Sequence, residues 1–470
     1  MSLSWKHLTQ FLILFILVET NVFGATVTVD PQGVPAPGSV YTTILAAFKN
    51  LPAGPESDGW GDGNDVVELV DTSIHLLGAE VDVTLINNGS VTLRNAPGTE
   101  PVVALDPSSI PTYGLVVHRS GHHTIEGITF IGPKGVDADT AGNRDLFRIE
   151  SNDNLEEVHA TIRNCVMTAN DGNDAPLLDF GAPNPNDRLG CIGRLIHQGR
   201  SAFAGRVLSI TVEHCVLAYT SGNDAAILMR EPAQDPESVR KLAILNTAIV
   251  NHTRGSGLRF DNIGNESTVF IKDSVFALCK ERAVIFRGTE ASPELSVFHS
   301  IIDQVGGAPA INSEVPFWGS MSFEQVTFNR GDDLVVLGDQ YSGDGNFVFR
   351  DVIAVAGSPL FRISGGFEPG LLVVEHVAAN PPYSIDQAQS VQDAFAADFG
   401  GTGPLTADPQ FSLTTFDSSL AGIRAWNSMT NTYYDVGNVT DFAGQAHNGS
   451  DLTGGAELVG ATNIDGWCLY

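Results

Sequence analysis

Positive charge is scarce in this chain of 470 residues: 25 Lys and Arg stand against 55 Asp and Glu, a formal net charge of −30. That balance excludes a basic nucleic-acid binder, whose affinity rests on neutralising phosphates. Charge of either sign is thin, at 17% of residues where globular chains carry roughly 25%. Small and apolar residues have taken its place, Gly alone numbering 49. No phosphate-binding glycine loop is present, which disfavours a nucleotide role. Five cysteines (Cys165, Cys191, Cys215, Cys279 and Cys468) include no close CxxC pair, so neither a cysteine zinc site nor a disulfide-built scaffold is expected. Long apolar runs are also missing. The best of them, 11–18, falls short of the ~18 residues that a spanning helix needs.

That run follows Lys6 and His7 and precedes Val22-Phe23-Gly24 before Ala25. A basic start, a short apolar stretch and small residues at the cleavage positions describe a secretory signal peptide. The expectation is removal of 1–24 after Gly24, leaving a secreted or cell-surface protein that is monomeric and does not insert into a membrane. Its acidic surface would keep it soluble and away from polyanions. Sequons at Asn88, Asn251, Asn265, Asn438 and Asn448 matter only if the source glycosylates secreted proteins.

One hydrophobic core stops growing at about 250 to 300 residues, so the length implies several domains or an architecture extended in one dimension. The sequence decides between them. Short segments such as Thr161-Ile-Arg-Asn-Cys-Val-Met167, Thr211-Val-Glu-His-Cys-Val-Leu217 and Phe270-Ile-Lys-Asp-Ser-Val-Phe276 repeat one pattern. Their second residues, Ile125, Ile162, Val212, Ile244, Ile271, Val297, Phe323, Phe349 and Val374, are spaced by 37, 50, 32, 27, 26, 26, 26 and 25 residues. Within each segment the apolar residues alternate with period two and are β-branched or aromatic, and turns follow closely, which indicates strands rather than helices. Strands that recur once per coil in the same direction must pair in parallel with the coils above and below. The fold class expected is therefore all-β, a right-handed single-stranded parallel β-helix. The long early spacings are expected to carry loops, notably the Gly/Pro-rich stretch 181–205, which contains Cys191.

Two residues after each anchor stands a polar or small residue: Gly127, Asn164, His214, Asn246, Asp273, His299, Gln325, Asp351 and His376. A tight bend between strands wants such residues. His214, His299 and His376 can be read as metal ligands or as members of a turn ladder. One position further, Cys165, Cys215, Thr247, Ser274 and Ser300 form a column of small side chains. Cys165 and Cys215, about one strand spacing of ~4.8 Å apart, are within disulfide reach, although a reduced stack is the expected state.

These coils resemble the right-handed parallel β-helix proteins of the pectin-lyase-like superfamily. Thr26-Val-Thr-Val-Asp30 followed by Tyr41 to Gly54 looks like that group's opening strand and N-terminal capping helix, with Ile44, Ala47, Phe48 and Leu51 as the sealing stripe. Ala407-Asp-Pro-Gln-Phe411 and Asp441-Phe-Ala-Gly-Gln445 resemble phrases that often close bacterial secreted members. The resemblance spans roughly Ala25 to Ala461 and implies a signal peptide over 1–24, the β-helix with its cap over 25–380 and a C-terminal end or capping region over 381–470. It implies no single activity, because lyases, hydrolases, esterases, epimerases and adhesins share this fold. The paired Asp and His-Gly motifs of polygalacturonases, the two Asp motifs of pectinesterases and the Trp-Ile-Asp-His signature of many pectate lyases are missing. Gly121-His-His123 is not one of them.

Members of this group place their substrate cleft across one parallel sheet. With apolar residues pointing inward, the strands after the bend would present Arg148, Asp179, Arg230, Arg259, Asp261, Arg287, Asn312, Glu314 and Arg362 outward. Arg230, Asp261, Arg287 and Glu314 then form one column on successive coils. Two readings are open. In one, Arg259, Arg230, Arg287 and Glu314 hold an acidic or sulfated sugar while Asp179 or Asp261 serves as acid or base; Arg259 or Lys280 would be the base of a lyase. In the other, the column is a cross-strand charge ladder, which its alternating sign favours. The Asp-rich turns Asn170-Asp-Gly-Asn-Asp174 and Thr220-Ser-Gly-Asn-Asp224 offer Asp174 and Asp224 as Ca²⁺ ligands, or simply as turn formers; no other cofactor is expected. The functional expectation is a secreted protein that binds an extracellular polysaccharide, with lyase- or hydrolase-like processing left open. The alternative is a non-catalytic structural or adhesive solenoid of a cell surface or matrix.

Overall fold

The computed structural model describes residues 26–49, 64–82, 90–106, 109, 113–117, 121–131, 145–149, 157–168, 194–198, 207–218, 225–230, 239–250, 252, 255–264, 266–277, 279, 281–303, 309–329, 335–337, 345–355, 361–363, 372–380, 420–427, 432–438, 447–448 and 458–459. Over 26–380 these form a parallel β-helix. Each full coil supplies three strands, one to each of three sheets.

The first sheet opens with Thr26–Val29, Asn64–Leu69, Ser90–Asn95 and Gly121–Glu126. It continues through Glu157–Arg163, Val207–Glu213, Val239–Leu245, Thr268–Lys272, Glu294–Phe298 and Ser320–Glu324 to Phe347–Val355 and Leu372–Asn380. All nine anchors of the sequence repeat, from Ile125 to Val374, are consecutive partners in one column. The column begins three coils earlier than the repeat suggests, with Val27, Val67 and Leu93. From Val27 to Phe349 no member is more than 4% exposed. The cause is the strand period of two. In Val207–Glu213, Leu208, Ile210 and Val212 are buried while the residues between them are half-buried.

Chemically alike side chains stack along the column because each coil repeats its neighbour. Phe323 and Phe349 lie with ring centroids 5.2 Å apart, and in the third sheet Phe260 and Phe286 stack likewise at 5.4 Å. Aromatic pairs at such separations add attraction beyond the area they bury.

The bend that ends the first strand has a backbone explanation. Asn164, His214, Asn246, Asp273, His299 and Gln325 all have φ between 46° and 54°, and Gly127 has 67°. Only residues that tolerate the left-handed region serve there, and Asn, Asp and His are enriched in it, whereas β-branched residues are strained. In Phe347–Val355 and Leu372–Asn380 the strand assignment continues through Asp351 and His376, and Phe347–Val355 pairs with Ser320–Glu324 before that position and with Thr327–Asn329 after it, so one strand serves the first and second sheets.

The column of small residues after the bend is an internal hydrogen-bonded staircase. The N–H of Cys165 donates to Cys215 Sγ at 3.4 Å, that of Cys215 to Thr247 Oγ1 at 3.3 Å, that of Thr247 to Ser274 Oγ at 3.2 Å and that of Ser274 to Ser300 Oγ at 3.1 Å. Each hydroxyl in turn donates to the carbonyl two residues before it, at 2.7 to 2.8 Å. Buried backbone N–H groups require acceptors, and the small polar side chain of the next coil supplies one. Cys165, Cys215 and Cys279 are buried cysteines outside any disulfide, and burial together with the neighbouring Cys165 raises the Cys215 thiol well above the ordinary range. Cys191 and Cys468 lie outside the described residues.

The second sheet carries short strands, among them Thr129–Ile131, Val166–Thr168, Val216–Ala218, Ala248–Val250, Val275–Ala277, Ile301–Asp303 and Thr327–Asn329. Phe130, Met167, Leu217, Ile249, Phe276, Ile302 and Phe328 form its buried column. The third sheet has ten parallel strands: Val81–Asp82, Tyr113–Val117, Asp145–Ile149, Arg194–Gln198, Ala225–Arg230, Ser256–Asp261, Val284–Arg287, Ile311–Ser313, Val335–Leu337 and Phe361–Ile363. One expectation is corrected here. The strand pairing with Asp145–Ile149 is Arg194–Gln198, inside the stretch read as an insert, and not Leu177–Phe180. Leu195 and Ile196 are fully buried, so two apolar residues suffice to hold a rung between paired neighbours.

A six-residue helix, Ile44–Lys49, packs Ile44, Ala47 and Phe48 against the first strands of all three sheets. Its start is capped by Thr43, whose Oγ1 accepts from the Ala46 N–H at 3.1 Å. Leu51 and the segment before Thr26 lie outside the described residues. At the other end, Leu420–Asn427 pairs antiparallel with Thr432–Asn438, and His447–Asn448 with Leu458–Val459. Leu458–Val459 touches the strands Phe347–Val355 and Leu372–Asn380 of the last coils. Among the described residues no helix is long and apolar enough to cross a membrane.

Candidate functional site

The outer face of the third sheet brings together most of the residues singled out from the sequence. Arg230 pairs in register with Asp261, and Asp261 with Arg287. Glu314 follows the next strand, its N–H donating to the Phe286 carbonyl at 3.0 Å. The expected column therefore exists.

Its ion pairs are not evenly spread. Asp261 accepts from Arg230 Nε at 3.1 Å, from Arg259 Nε at 2.8 Å and from Arg259 Nη2 at 3.1 Å. The Arg259 and Asp261 side chains are only 16% and 14% exposed, so these charge-assisted bonds are shielded from water. A coil further on, Glu314 accepts from Arg287 Nε at 2.8 Å and Arg287 Nη2 at 3.3 Å, and pairs with Arg282 Nη2 at 3.3 Å. Arg282 and its neighbour Glu281 were not anticipated. They precede the strand Val284–Arg287, and no alternation marks them. Glu281 Oε2 stands 3.8 Å from Arg282 Nη1 and 3.9 Å from Arg287 Nη2, beyond hydrogen-bonding distance.

The face around this cluster is less solvated than charge alone suggested. Arg259 is flanked in its own column by Leu228 and Ile285, both outward-pointing and both fully buried, and Asn312 beyond them is 6% exposed. Arg148, at the far end of this column, pairs with the fully buried Asp145 at 3.2 Å. The rung next to Arg148, expected to hold Asp179, is occupied by His197. Asp179 itself, Lys280 and the turn carboxylates Asp174 and Asp224 lie outside the described residues.

The outer face of the first sheet offers an internal contrast. There Glu68, Arg94, Glu126, Arg163 and Glu213 occupy successive rungs with strictly alternating sign. Arg94 meets Glu68 and Arg163 meets Glu126, each at 2.9 Å, and further along Arg350 meets Glu324 at 3.3 Å. That is a charge ladder in which each guanidinium meets one carboxylate. Among the described residues of the third sheet, four guanidinium groups, Arg230, Arg259, Arg282 and Arg287, gather around three carboxylates, Asp261, Glu281 and Glu314. On a chain so acidic, this is a local excess of positive charge.

Two histidines of the bend ladder, His299 and His214, stand beside neighbouring carboxylates, while the His376 side chain lies outside the described ones. His299 Nδ1 lies 2.6 Å from Asp273 Oδ1, and His214 Nε2 lies 3.6 Å from Glu213. Among the described residues no three metal-ligating side chains converge. Elsewhere on the first sheet the His122 and His159 rings stack at 4.5 Å. Burial, and then the His122 imidazole, lower the His159 pKa. His75, buried beside Asp71 at 2.9 Å, is also lowered because desolvation outweighs that carboxylate. Fully buried His252 is pushed down to about 3 by desolvation, against a hydrogen bond to the Leu217 backbone.

No family model matches the sequence. No curated protein matches it either. Among solved structures, the chain is similar to a rhamnogalacturonan lyase at 11% identity, with 88% of this chain and 96% of that chain covered and a TM-score of 0.42. It is also similar to PfbA, a surface adhesin of Streptococcus pneumoniae, at 11% identity, with 68% and 86% covered and a TM-score of 0.26. At such identities a likeness concerns the fold alone, and the strand ladders described above establish the fold on their own.

Proposed function

We propose that this chain is a secreted β-helix protein that binds an extracellular polysaccharide across the outer face of its third sheet. The observation that carries the reading is the gathering, among the described residues, of four guanidinium groups around three carboxylates on successive coils of a chain with net charge −30. Guanidinium forks suit carboxylate and sulfate groups, which they bind bidentately. A repeating rung distance of ~4.8 Å along the solenoid supports an extended chain better than a small molecule. Asp261 is better placed to orient Arg230 and Arg259 than to exchange protons, because its lone pairs are committed to three N–H bonds. That commitment favours binding over turnover, and with it a non-catalytic adhesive or structural solenoid as the second reading.

The test is a panel of acidic, sulfated and neutral polysaccharides, with and without Ca²⁺, scored for binding, for unsaturated products and for released reducing ends. Binding of acidic glycans alone supports the adhesive version, and product formation supports the enzymatic one. Failure to bind every glycan defeats the proposal.

A further inference from the structure

The cluster on the third sheet is satisfied on one side and loose on the other. Around Asp261 every contact is a hydrogen bond of 2.8 to 3.1 Å. Around Glu281 none is. Its Oε2 is shielded from solvent and has no hydrogen-bond partner, and the Nε of adjacent Arg282 is likewise buried without one. The nearest opposite charges to that oxygen are 3.8 and 3.9 Å away. A shielded acceptor and a shielded donor left unmade side by side each cost free energy. Folding alone would be served better by closing them onto each other, or by an apolar residue at position 281.

We infer that Arg282 and Arg287 form an anion subsite in which Glu281 is a displaceable place-holder, loosely occupying the position that a carboxylate or sulfate group of the bound glycan takes. The inference rests on the reading of this face as a polysaccharide site. Arg287 is oriented by its paired bonds to Glu314, and Arg282 is tethered to the same carboxylate through Nη2 alone at 3.3 Å. Arg282 therefore has an unpartnered Nε, buried in the free protein and opened to an incoming oxyanion only when Glu281 moves aside. Glu281, with its side chain one-third exposed, has an outward path when the ligand arrives. In the free protein the carboxylate lowers the electrostatic cost of holding two guanidinium groups together. In the bound protein it competes with the ligand.

This assignment makes a prediction opposite in sign to that for a ligand-contacting acid. Removing the Glu281 charge should tighten binding, whereas removing the Arg282 charge should weaken it. The experiment measures polygalacturonate, chondroitin sulfate and a neutral glucan against wild type, Glu281→Gln and Arg282→Gln by calorimetry at low and moderate salt. The two acidic glycans distinguish a carboxylate-reading subsite from a sulfate-reading one. Glu281→Gln should bind the preferred acidic glycan about threefold tighter or more at low salt, with the gain shrinking as salt rises. Arg282→Gln should bind it at least tenfold more weakly, and the neutral glucan should respond to neither change. Circular dichroism of both variants checks that the coils persist. Unchanged or weaker binding by Glu281→Gln overturns the place-holder, and wild-type affinity in Arg282→Gln overturns the subsite, while either result leaves the glycan reading standing. A wild type that binds none of the three overturns both.

Discussion

Acidification should destabilise this protein through His252 in a way that one substitution can isolate. The side chain is fully buried in the described structure, and desolvation pushes its pKa down to about 3 from roughly 6.5 in an unfolded chain. The folded state therefore binds the proton less well than the unfolded state. Stability from this group is complete above the unfolded pKa and is lost as pH falls from about 6.5 toward 3. The slope reaches about 1.4 kcal/mol per pH unit well inside that window, and the whole span is worth on the order of 5 kcal/mol. His75 and His159, both lowered, act in the same direction. Protonation of the many carboxylates acts oppositely by relieving self-repulsion, so the wild-type profile alone is ambiguous. The comparison with His252→Gln removes that ambiguity, because both proteins carry the same carboxylates and Gln keeps an N–H for the Leu217 backbone. Urea unfolding at half-unit steps from pH 7.5 to pH 4.5 should find the variant less stable at neutral pH. The gap should narrow by roughly 2 to 3 kcal/mol at the acid end. Parallel profiles across that range would refute the buried, neutral imidazole.

Three further outcomes follow from the coil interior. Ile271→Asp places a carboxylate in a fully buried apolar column and should cost several kcal/mol; a wild-type melting temperature would mean that the inward register is wrong. Cys215→Ala removes the acceptor of the Cys165 N–H and should cost about 1 to 3 kcal/mol, whereas Cys215→Ser should cost less because the hydroxyl restores the bond. Equal losses would show that the staircase contributes nothing. The native thiols of Cys165, Cys215 and Cys279 should resist Ellman's reagent until the coils unfold, a slow reaction that parallels unfolding; rapid labelling would contradict their burial.

The coils were legible because their signal is local and repeated. Nine anchors with the same alternation can share only one register, and the structure places all nine in one column. The bend was legible in outline, since Asn164, His214 and Asp273 share polarity, though its cause is a left-handed backbone that a residue list does not display. The sequence marks Thr26–Val29 as the opening strand but not Val67 and Leu93 as anchors of the repeat, because Leu69, two residues past Val67, lacks the polar bend signature and the early spacings are irregular. Arg194–Gln198 was missed for a different reason. Its flanks are rich in Gly and Pro, and Leu177-Leu-Asp-Phe180 offers the stronger apolar pattern, so local propensity pointed to the wrong strand while pairing with Asp145–Ile149 decided the rung. The Arg230–Asp261–Arg287–Glu314 column followed correctly from the register. The exposure assumed for it did not. Leu228 and Ile285 are buried on the outward side, and Arg259 and Asp261 are mostly shielded. Replacing that pair by Ala would consequently cost stability under either reading, so melting temperature does not separate site from ladder.

The central claim is that the excess guanidinium groups of the third sheet hold an acidic glycan. It is tested most directly at Arg230 and Arg287, the more exposed guanidinium groups of the cluster at 26% and 27%. The measurement is the affinity of the acidic glycan selected by the panel for wild type and for the Arg230→Gln plus Arg287→Gln double variant, with the β-sheet circular dichroism of both recorded in parallel. The account predicts binding that weakens at least tenfold in the variant while the coil spectrum is retained. Wild-type affinity in the double variant would contradict it and leave these residues as rungs of a charge ladder.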